Sequence, residues 1–361
     1  NAKAQKALGV CFEFGLGVEK DFVKAVEWFT KAAKQNDATA QYNLGCCYLE
    51  GNGVEKDYIK AVEWFARAAE QGNADAQYNL GICFISGNGV KKNMVKSVEL
   101  FTKAAEQGVA KAQYNLGVCF FDGLGVKKDY VKAVEWFAKA AEQNDAHSQN
   151  YLGYCFDNGL GVKKDYVKAV EWYTKAVKQN DARGQNNLGC CFENGLGVEK
   201  DFVKAVELFA KAAKQDYATA QYNLGRCFFE GLGVGKDYVK AVEWFTKAAK
   251  QNDAGGQNNL GYCFNNGLGV KKDCLKAVDW FTKAAVQDNA SAQYNLGCCY
   301  ENGSGVKQDL EEAVKWFHKS AANKEKNKLA DAKLNDVFDK IKRDKNGSAL
   351  ARLCASMGFE L

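Results

Sequence analysis

Cysteine, histidine and clustered glycine are the residues of this sequence whose chemistry could make a catalyst or a metal site. There are 14 Cys, two His and 35 Gly in 361 residues. A thiolate that binds zinc, closes a disulfide or attacks a carbonyl needs a second group at a defined spacing. No Cys-x-x-Cys occurs. The neighbours Cys46-Cys47, Cys190-Cys191 and Cys298-Cys299 would point to different faces of a helix. His147 and His318 lie in no His-Glu-x-x-His run and beside no Ser or Cys in a nucleophile pattern. The loop Gly231-Leu232-Gly233-Val234-Gly235-Lys236-Asp237 is the nearest approach to a phosphate loop. It lacks the first Gly at the required distance and sets Asp237 where Ser or Thr would hold Mg²⁺. The expectation is a chain that is not an enzyme and holds no metal or other cofactor.

What places these residues is a period. Leu-Gly recurs every 36 residues from Leu8 to Leu296, and each copy is followed by Gly-x-Gly-Val, as in Gly51-Asn52-Gly53-Val54. Nine repeats cover residues 1–324, and a fixed period in this range marks a stacked array rather than one globular core. Each repeat reads as two helices. In the second repeat the first runs from about Ala38 to Glu50, with Leu44, Cys47 and Tyr48 at helical spacing. Gly51 stands where a left-handed cap would end it, and Asp57 can cap the start of the second. The second carries Tyr58, Ala61, Val62, Phe65 and Ala69 on one stripe and ends at Gly72. The slots equivalent to Gly72 are Asn36, Gly108, Asn144, Asn180, Asp216, Asn252 and Asp288, all tolerant of left-handed backbone. Pro is absent, in keeping with an all-α chain whose turns are made by Gly, Asn and Asp.

Nine Cys, from Cys11 to Cys299, follow each Leu of Leu-Gly by three residues and so share its inward face as small hydrophobes. With two helix layers between equivalent points, they are expected roughly 15–20 Å apart, beyond disulfide reach. Unpaired thiols favour a reducing, cytoplasmic setting. Three sequons, at Asn289, Asn302 and Asn346, are the one feature that keeps a secretory lumen open. Net charge is +5, which asks for no nucleic acid, and no stretch approaches the ~18 apolar residues of a membrane span. The first residues show no signal-peptide pattern and no capping segment, so further repeats are expected ahead of Asn1. Residues 325–361 differ from the repeats. They read as a Lys-rich helix over 325–343 with Leu334, Val337, Phe338 and Ile341 on one face. A break follows at Asn346-Gly347, and then a last helix with Leu350, Leu353, Cys354 and Met357. This segment suits a cap over the ninth repeat or a docking helix.

The pattern Ala40-Gln41-Tyr42-Asn43-Leu44-Gly45-x-x-Tyr48-x-x-Gly51-x-Gly53-Val54-x-x-Asp57, then Ala61-Val62-x-Trp64-Phe65-x-x-Ala68-Ala69, resembles the Sel-one-like repeat (SLR) family of the tetratricopeptide superfamily. All nine repeats carry it. The resemblance implies a right-handed α-solenoid superhelix with the first helices on its concave face. It also implies a non-catalytic scaffold or adaptor that binds a protein or peptide.

On that arrangement, first-helix positions off the Leu/Cys stripe face a partner. Repeats two to four offer the apolar strip Tyr42, Leu49, Tyr78, Ile82, Ile85, Tyr114, Val118 and Phe121. Repeat seven returns to it with Tyr222, Arg226 and Phe229. Repeats five, six and eight read as polar, with Asn150, Asp157, Asn158, Asn186, Glu193, Asn194, Asn258, Asn265 and Asn266. Asn43, Asn79, Asn115, Asn187, Asn223, Asn259 and Asn295 form a ladder able to donate to and accept from a peptide backbone, or to fix repeat stacking. Lys111, Arg183 and Arg226 are too scattered for a firm carboxylate clamp. Trp28 and its equivalents on the second helices read as packing. The competing expectation is a structural subunit that self-assembles or docks in a larger assembly without a separate ligand.

Overall fold

The computed structural model describes residues 1–322 and 328–343. Among them the regular structure is entirely helical. First helices are α1 Ala2–Phe14, α3 Ala38–Glu50, α5 Ala74–Ser86, α7 Ala110–Asp122, α9 Ala146–Asn158, α11 Ala182–Asn194, α13 Ala218–Glu230, α15 Ala254–Asn266 and α17 Ala290–Asn302. Second helices are α2 Phe22–Ala33, α4 Tyr58–Glu70, α6 Met94–Glu106, α8 Tyr130–Glu142, α10 Tyr166–Lys178, α12 Phe202–Lys214, α14 Tyr238–Lys250, α16 Cys274–Ala285 and α18 Leu310–Ala322. A last helix, α19, runs Lys328–Arg343.

The helix ends follow from the residues set there. Asp37 caps α3 by accepting from the Ala40 amide at 2.8 Å, and Asp57 caps α4 by accepting from Lys60 at 3.0 Å. Such a cap is worth about 1 kcal/mol. Gly51 closes α3 at φ 83°, and the hairpin ends Asn36, Asn144, Asn180, Asp216, Asn252 and Asp288 all take positive φ, between 58° and 67°. Gly72 and Gly108 fill the same slot.

The chain forms two compact bodies, Asn1–Gly184 and Gln185–Leu361. In the N-terminal body α2, α4, α6 and α8 each pack between the first helix of their own repeat and that of the next. Phe65, Ala61 and Ala68 of α4 are fully buried against Ala76, Leu80 and Cys83 of α5, with Tyr42 and Leu49 of α3 closing the side. Burying one such Phe stabilises by about 1.5–3 kcal/mol. The C-terminal body repeats the scheme, with Phe245 and Ala241 of α14 against Leu260 and Cys263 of α15. Consecutive loops also touch. A Cβ on Gly161, at φ 70°, would lie 2.2 Å from the Tyr130 carbonyl oxygen one repeat earlier. Only glycine lets those backbones meet.

In the C-terminal body α19 packs on the ninth repeat. Val337 is buried and Leu334 half-buried beside Val314, Phe317 and Tyr294. The side chains of Phe338 and Ile341 and the expected last helix, with Leu350, Leu353, Cys354 and Met357, lie outside the described residues. Glu301 of α17 is 4% exposed and receives Lys333 at 3.0 Å and Lys340 at 2.5 Å. Burial alone would raise its carboxyl, but hydrogen bonds from Lys340 and Lys333 hold it below the ordinary 4.5. A carboxyl lowered in the folded state contributes fully above its unfolded value and loses that contribution as pH falls through the lower, folded one. Acidification below about pH 4 should therefore lower the protection of α19 amides relative to their intrinsic exchange rates at that pH, and Glu301→Gln should lower it already at neutral pH. Unchanged α19 exchange in Glu301→Gln would mean that the apolar contacts alone hold the helix.

Candidate functional site

The cysteines come first, since they promised chemistry. Cys47, Cys83, Cys119, Cys155, Cys191, Cys227, Cys263 and Cys299 are buried, Cys11 is half-buried, and among the described residues no Cys is in a disulfide. Burial pushes the thiols of Cys47, Cys155, Cys227, Cys263 and Cys299 up to about 12, so they are neutral and poor nucleophiles. Adjacent first helices lie side by side: the Asn79 amide reaches the Cys46 sulfur at 3.9 Å, and the Tyr114 and Tyr151 rings are 5.9 Å apart. The recurrent cysteines lie in separate cores, Cys47 with Phe29 and Cys83 with Phe65.

In the N-terminal body the apolar strip lies on first helices, as expected, yet none of its eight residues is fully exposed. Tyr42, Tyr78 and Tyr114 lean on Phe65, Phe101 and Phe137 of their own repeats at 6.0, 5.8 and 6.3 Å. Leu49 packs on the core of α4 and α5, Ile82 and Ile85 on that of α6 and α7, and Val118 and Phe121 on that of α8 and α9. All eight are half-buried, each resting on the core beneath it.

An exposed aromatic side chain of this face is found instead in repeat five, which the sequence presented as polar. There Tyr151 occupies the slot that Asn holds in seven other repeats, stacked on Phe137 at 4.8 Å, and Phe121 meets it edge-on at 5.5 Å. Tyr154 is 41% exposed and stands edge-on to Phe121 at 6.1 Å. His147 closes one side, 5.7 Å from Tyr114 and paired to Asp181 at 3.0 Å. Burial raises the Tyr114 phenol to about 12 and raises Tyr151 as well, while Arg183 pulls against both. Two phenols tilted at 58° to each other, an exposed third and a guanidinium beside them make an apolar patch with polar edges. The signal for it was present: Leu152 is preceded by Tyr and followed two residues on by Tyr.

In the C-terminal body Tyr222 and Phe229 lean on Phe245 at 6.3 and 6.1 Å. Arg226 is already committed, holding both oxygens of the buried Glu193 at 2.6 Å and approaching Glu230 at 4.0 Å. A guanidinium so engaged is a stacking element between α11 and α13, not a cation offered to a ligand. Tyr262 is 43% exposed beside Phe229 and borders a cleft of 130 Å³ with Asn265, Asn266, Asn295 and Asn302. The Asn ladder divides. Asn223 and Asn295 donate to Asn186 and Asn258 of the preceding repeat at 2.9 Å, and Asn115 reaches Tyr78 at 3.4 Å. Asn187 and Asn259 accept from the Asn before them, and Asn43 is half-buried. Most of the ladder's bonding therefore ties repeat to repeat.

The model of the Sel1 repeat matches nine segments: 2–37, 38–73, 74–109, 110–145, 146–181, 182–217, 218–253, 254–289 and 290–324. The chain belongs to the Sel1 repeat family. Among solved structures it is similar to c5321, a protective antigen of uropathogenic Escherichia coli with an SLR fold. The two are 34% identical with a TM-score of 0.66, over 98% of this chain and 86% of that one. It is also similar to a Sel1 repeat protein from Oxalobacter formigenes, at 32% identity and TM-score 0.63, over 68% of this chain and 96% of that one. No curated protein matches it significantly. Sel1 repeat proteins are generally non-catalytic helical scaffolds for protein–protein interaction.

One feature of these Sel1 repeats escaped the sequence reading although it recurs in every one. A Gln sits three residues before each Leu of Leu-Gly, half-buried as Gln5 in the first repeat and buried in the other eight. Gln149 donates to the Ala141 carbonyl at 3.3 Å and to Asn144 at 3.2 Å, and its own oxygen accepts from Gln179 at 2.8 Å. The same bond joins Gln71 to Gln41, Gln107 to Gln77, Gln215 to Gln185 and Gln251 to Gln221. From Gln41 to Gln257 these buried Gln thus accept from the Gln at the end of the following second helix, whereas among the described residues Gln293 bonds only back to the Ala285 carbonyl. The seven recurrent Trp are half-buried, with a basic side chain over the ring, as Lys175 is over Trp172 at 3.8 Å.

Proposed function

We propose that the chain is an interaction scaffold that binds a protein or peptide segment on its first-helix face, centred on repeats four and five. The observation that carries this is Tyr154. It is exposed, aromatic and seated on a floor of Phe121, Tyr151 and Phe137, the composition of an interface hot spot. The half-buried Tyr42, Asn43, Leu49, Tyr78, Asn79, Ile82, Ile85, Tyr114, Asn115 and Val118 would extend that floor along neighbouring helices. Tyr222 and Phe229, with exposed Tyr262, would offer a smaller copy in the C-terminal body. The thirteen described Cys, none of them in a disulfide, favour work in a reducing compartment. Among the described residues no helix is long and apolar enough to cross a membrane.

The test is selection of peptides from a random display library on the whole chain, followed by affinity measurement on Tyr154→Ala. An exposed side chain can be truncated without loss of fold, so melting should be unchanged while selected peptides bind at least ~tenfold more weakly. Equal affinity for both proteins would reject this site. A chain that selects no peptide and forms concentration-dependent oligomers in light scattering would favour the self-assembling reading.

A further inference from the structure

We propose that three consecutive inter-helix loops of the N-terminal body form a basic ridge that binds an extended acidic polypeptide segment. After Gly-x-Gly-Val the first, second and sixth repeats carry an acid and a base: Glu19-Lys20, Glu55-Lys56 and Glu199-Lys200. In the third, fourth and fifth the acid is replaced, giving Lys91-Lys92, Lys127-Lys128 and Lys163-Lys164. Asn93 also replaces the usual capping Asp. Segments 18–24, 54–60 and 198–204 are neutral, whereas 90–96, 126–132 and 162–168 carry +3, +2 and +2. The charge is therefore local, although the chain as a whole is only +5.

The fold makes these three loops contiguous. Gly125 abuts the Met94 carbonyl and Gly161 abuts the Tyr130 carbonyl, so each loop touches the start of the preceding second helix. All six lysines are exposed. Lys128 and Lys164 lie over the rings of Tyr130 and Tyr166, at 5.3 and 4.7 Å, which holds them upright. Lys91, Lys127 and Lys163 make no ion pair among the described residues. The nearby acids are partly used. Asp129 and Asp165 cap α8 and α10 by accepting from the Lys132 and Lys168 amides, Asp157 accepts from Tyr173 at 3.4 Å beside Lys164, and Asp122 ends α7 in solvent.

The shape of the charge selects the partner. It is a line one loop wide, not a plane, with a neutral loop at 54–60 beside it. Successive doublets lie one repeat apart along the row, and an extended chain, which advances about 3.3 Å per residue, can present acids to each in turn. This surface is on the loops, separate from the first-helix face, and does not depend on it.

The experiment uses the whole chain and a fluorescein-labelled 15-residue poly-glutamate peptide, followed by polarisation at low and high salt. The test variant is Lys91→Glu, Lys127→Glu and Lys163→Glu together, which places Glu where Glu19 and Glu55 already stand in the same fold. Binding should weaken about tenfold or more, wild-type binding should fall with salt, and Lys271→Glu in the C-terminal body should change little. The matching Lys→Gln trio should lose less than the Glu trio, which separates charge from any loss of fold. Equal affinity of wild type and the Glu trio, or salt-insensitive binding, would overturn the proposal. So would tighter binding of phosphatidylserine vesicles or oligouridine than of the peptide, lost in the same variant, since the ridge would then belong to lipid or RNA.

Discussion

Gly161→Ala should destabilise the N-terminal body by about 3 kcal/mol or more. A side chain in the left-handed conformation costs roughly 1–2 kcal/mol, and driving apart two packed backbones adds roughly 1–3. Both apply here, because Gly161 has φ 70° and its Cβ would fall 2.2 Å from the Tyr130 carbonyl oxygen. The control is Gly72→Asn. Gly72 is also left-handed, at φ 85°, but nothing lies within 4 Å of its Cβ position, and Asn fills the same slot at Asn36 and Asn144. That change should stay within about 1 kcal/mol. Urea unfolding of the whole chain checks both. A Gly161→Ala midpoint no lower than that of the control would show that the loop contact does not restrain the repeats.

Gln149→Leu should cost about 2 kcal/mol although it adds an apolar side chain to a buried place. It takes the acceptor from Gln179 and the side-chain donor from the Ala141 carbonyl and from Asn144. Unpaired buried polar groups carry the penalty, not the lost bond itself. The double variant Gln149→Leu with Gln179→Leu should then cost less than the sum of the two single changes, by at least ~0.5 kcal/mol. Additive losses in denaturant unfolding would mean that the two amides act independently and that the ladder does not couple neighbouring repeats.

The fold was legible because it is written nine times. Leu44, Cys47 and Gly51 state one helix and its end, and the same three residues return every 36. Even the left-handed slots at Asn36 and Asp216 follow from residue type alone. The site was less legible for a physical reason. A first helix has no purely outward face in such an array, since its side meets the next first helix. Tyr42, Tyr78 and Tyr114, counted as surface by position, are therefore half-buried against Phe65, Phe101 and Phe137. Arg226 read as available because Glu193 lies 33 residues away in sequence, and only the stacking brings the two together. Tyr154 was passed over because Asn150, Asp157 and Asn158 around it set the tone of the repeat. The buried Gln was invisible to a reading that treats polarity as exposure. Its constancy in all nine repeats, at a position where a solvated side chain could be anything, was the clue.

The loop contact and the Gln bond are the same at almost every junction, and this has a consequence for how the chain reaches its structure. A second helix finds nearly the same partner surface on the next repeat and on the one after it. Nothing in the glycine loops or the amides tells the two apart. A nascent chain can therefore close with one hairpin extruded and every formed junction satisfied. What penalises that error is the 36-residue hairpin left outside, which buries neither of its faces, together with the few residues that make one repeat unlike its neighbours. Tyr151, Tyr154 and the Glu193–Arg226 pair thus label the correct neighbour in an otherwise interchangeable series.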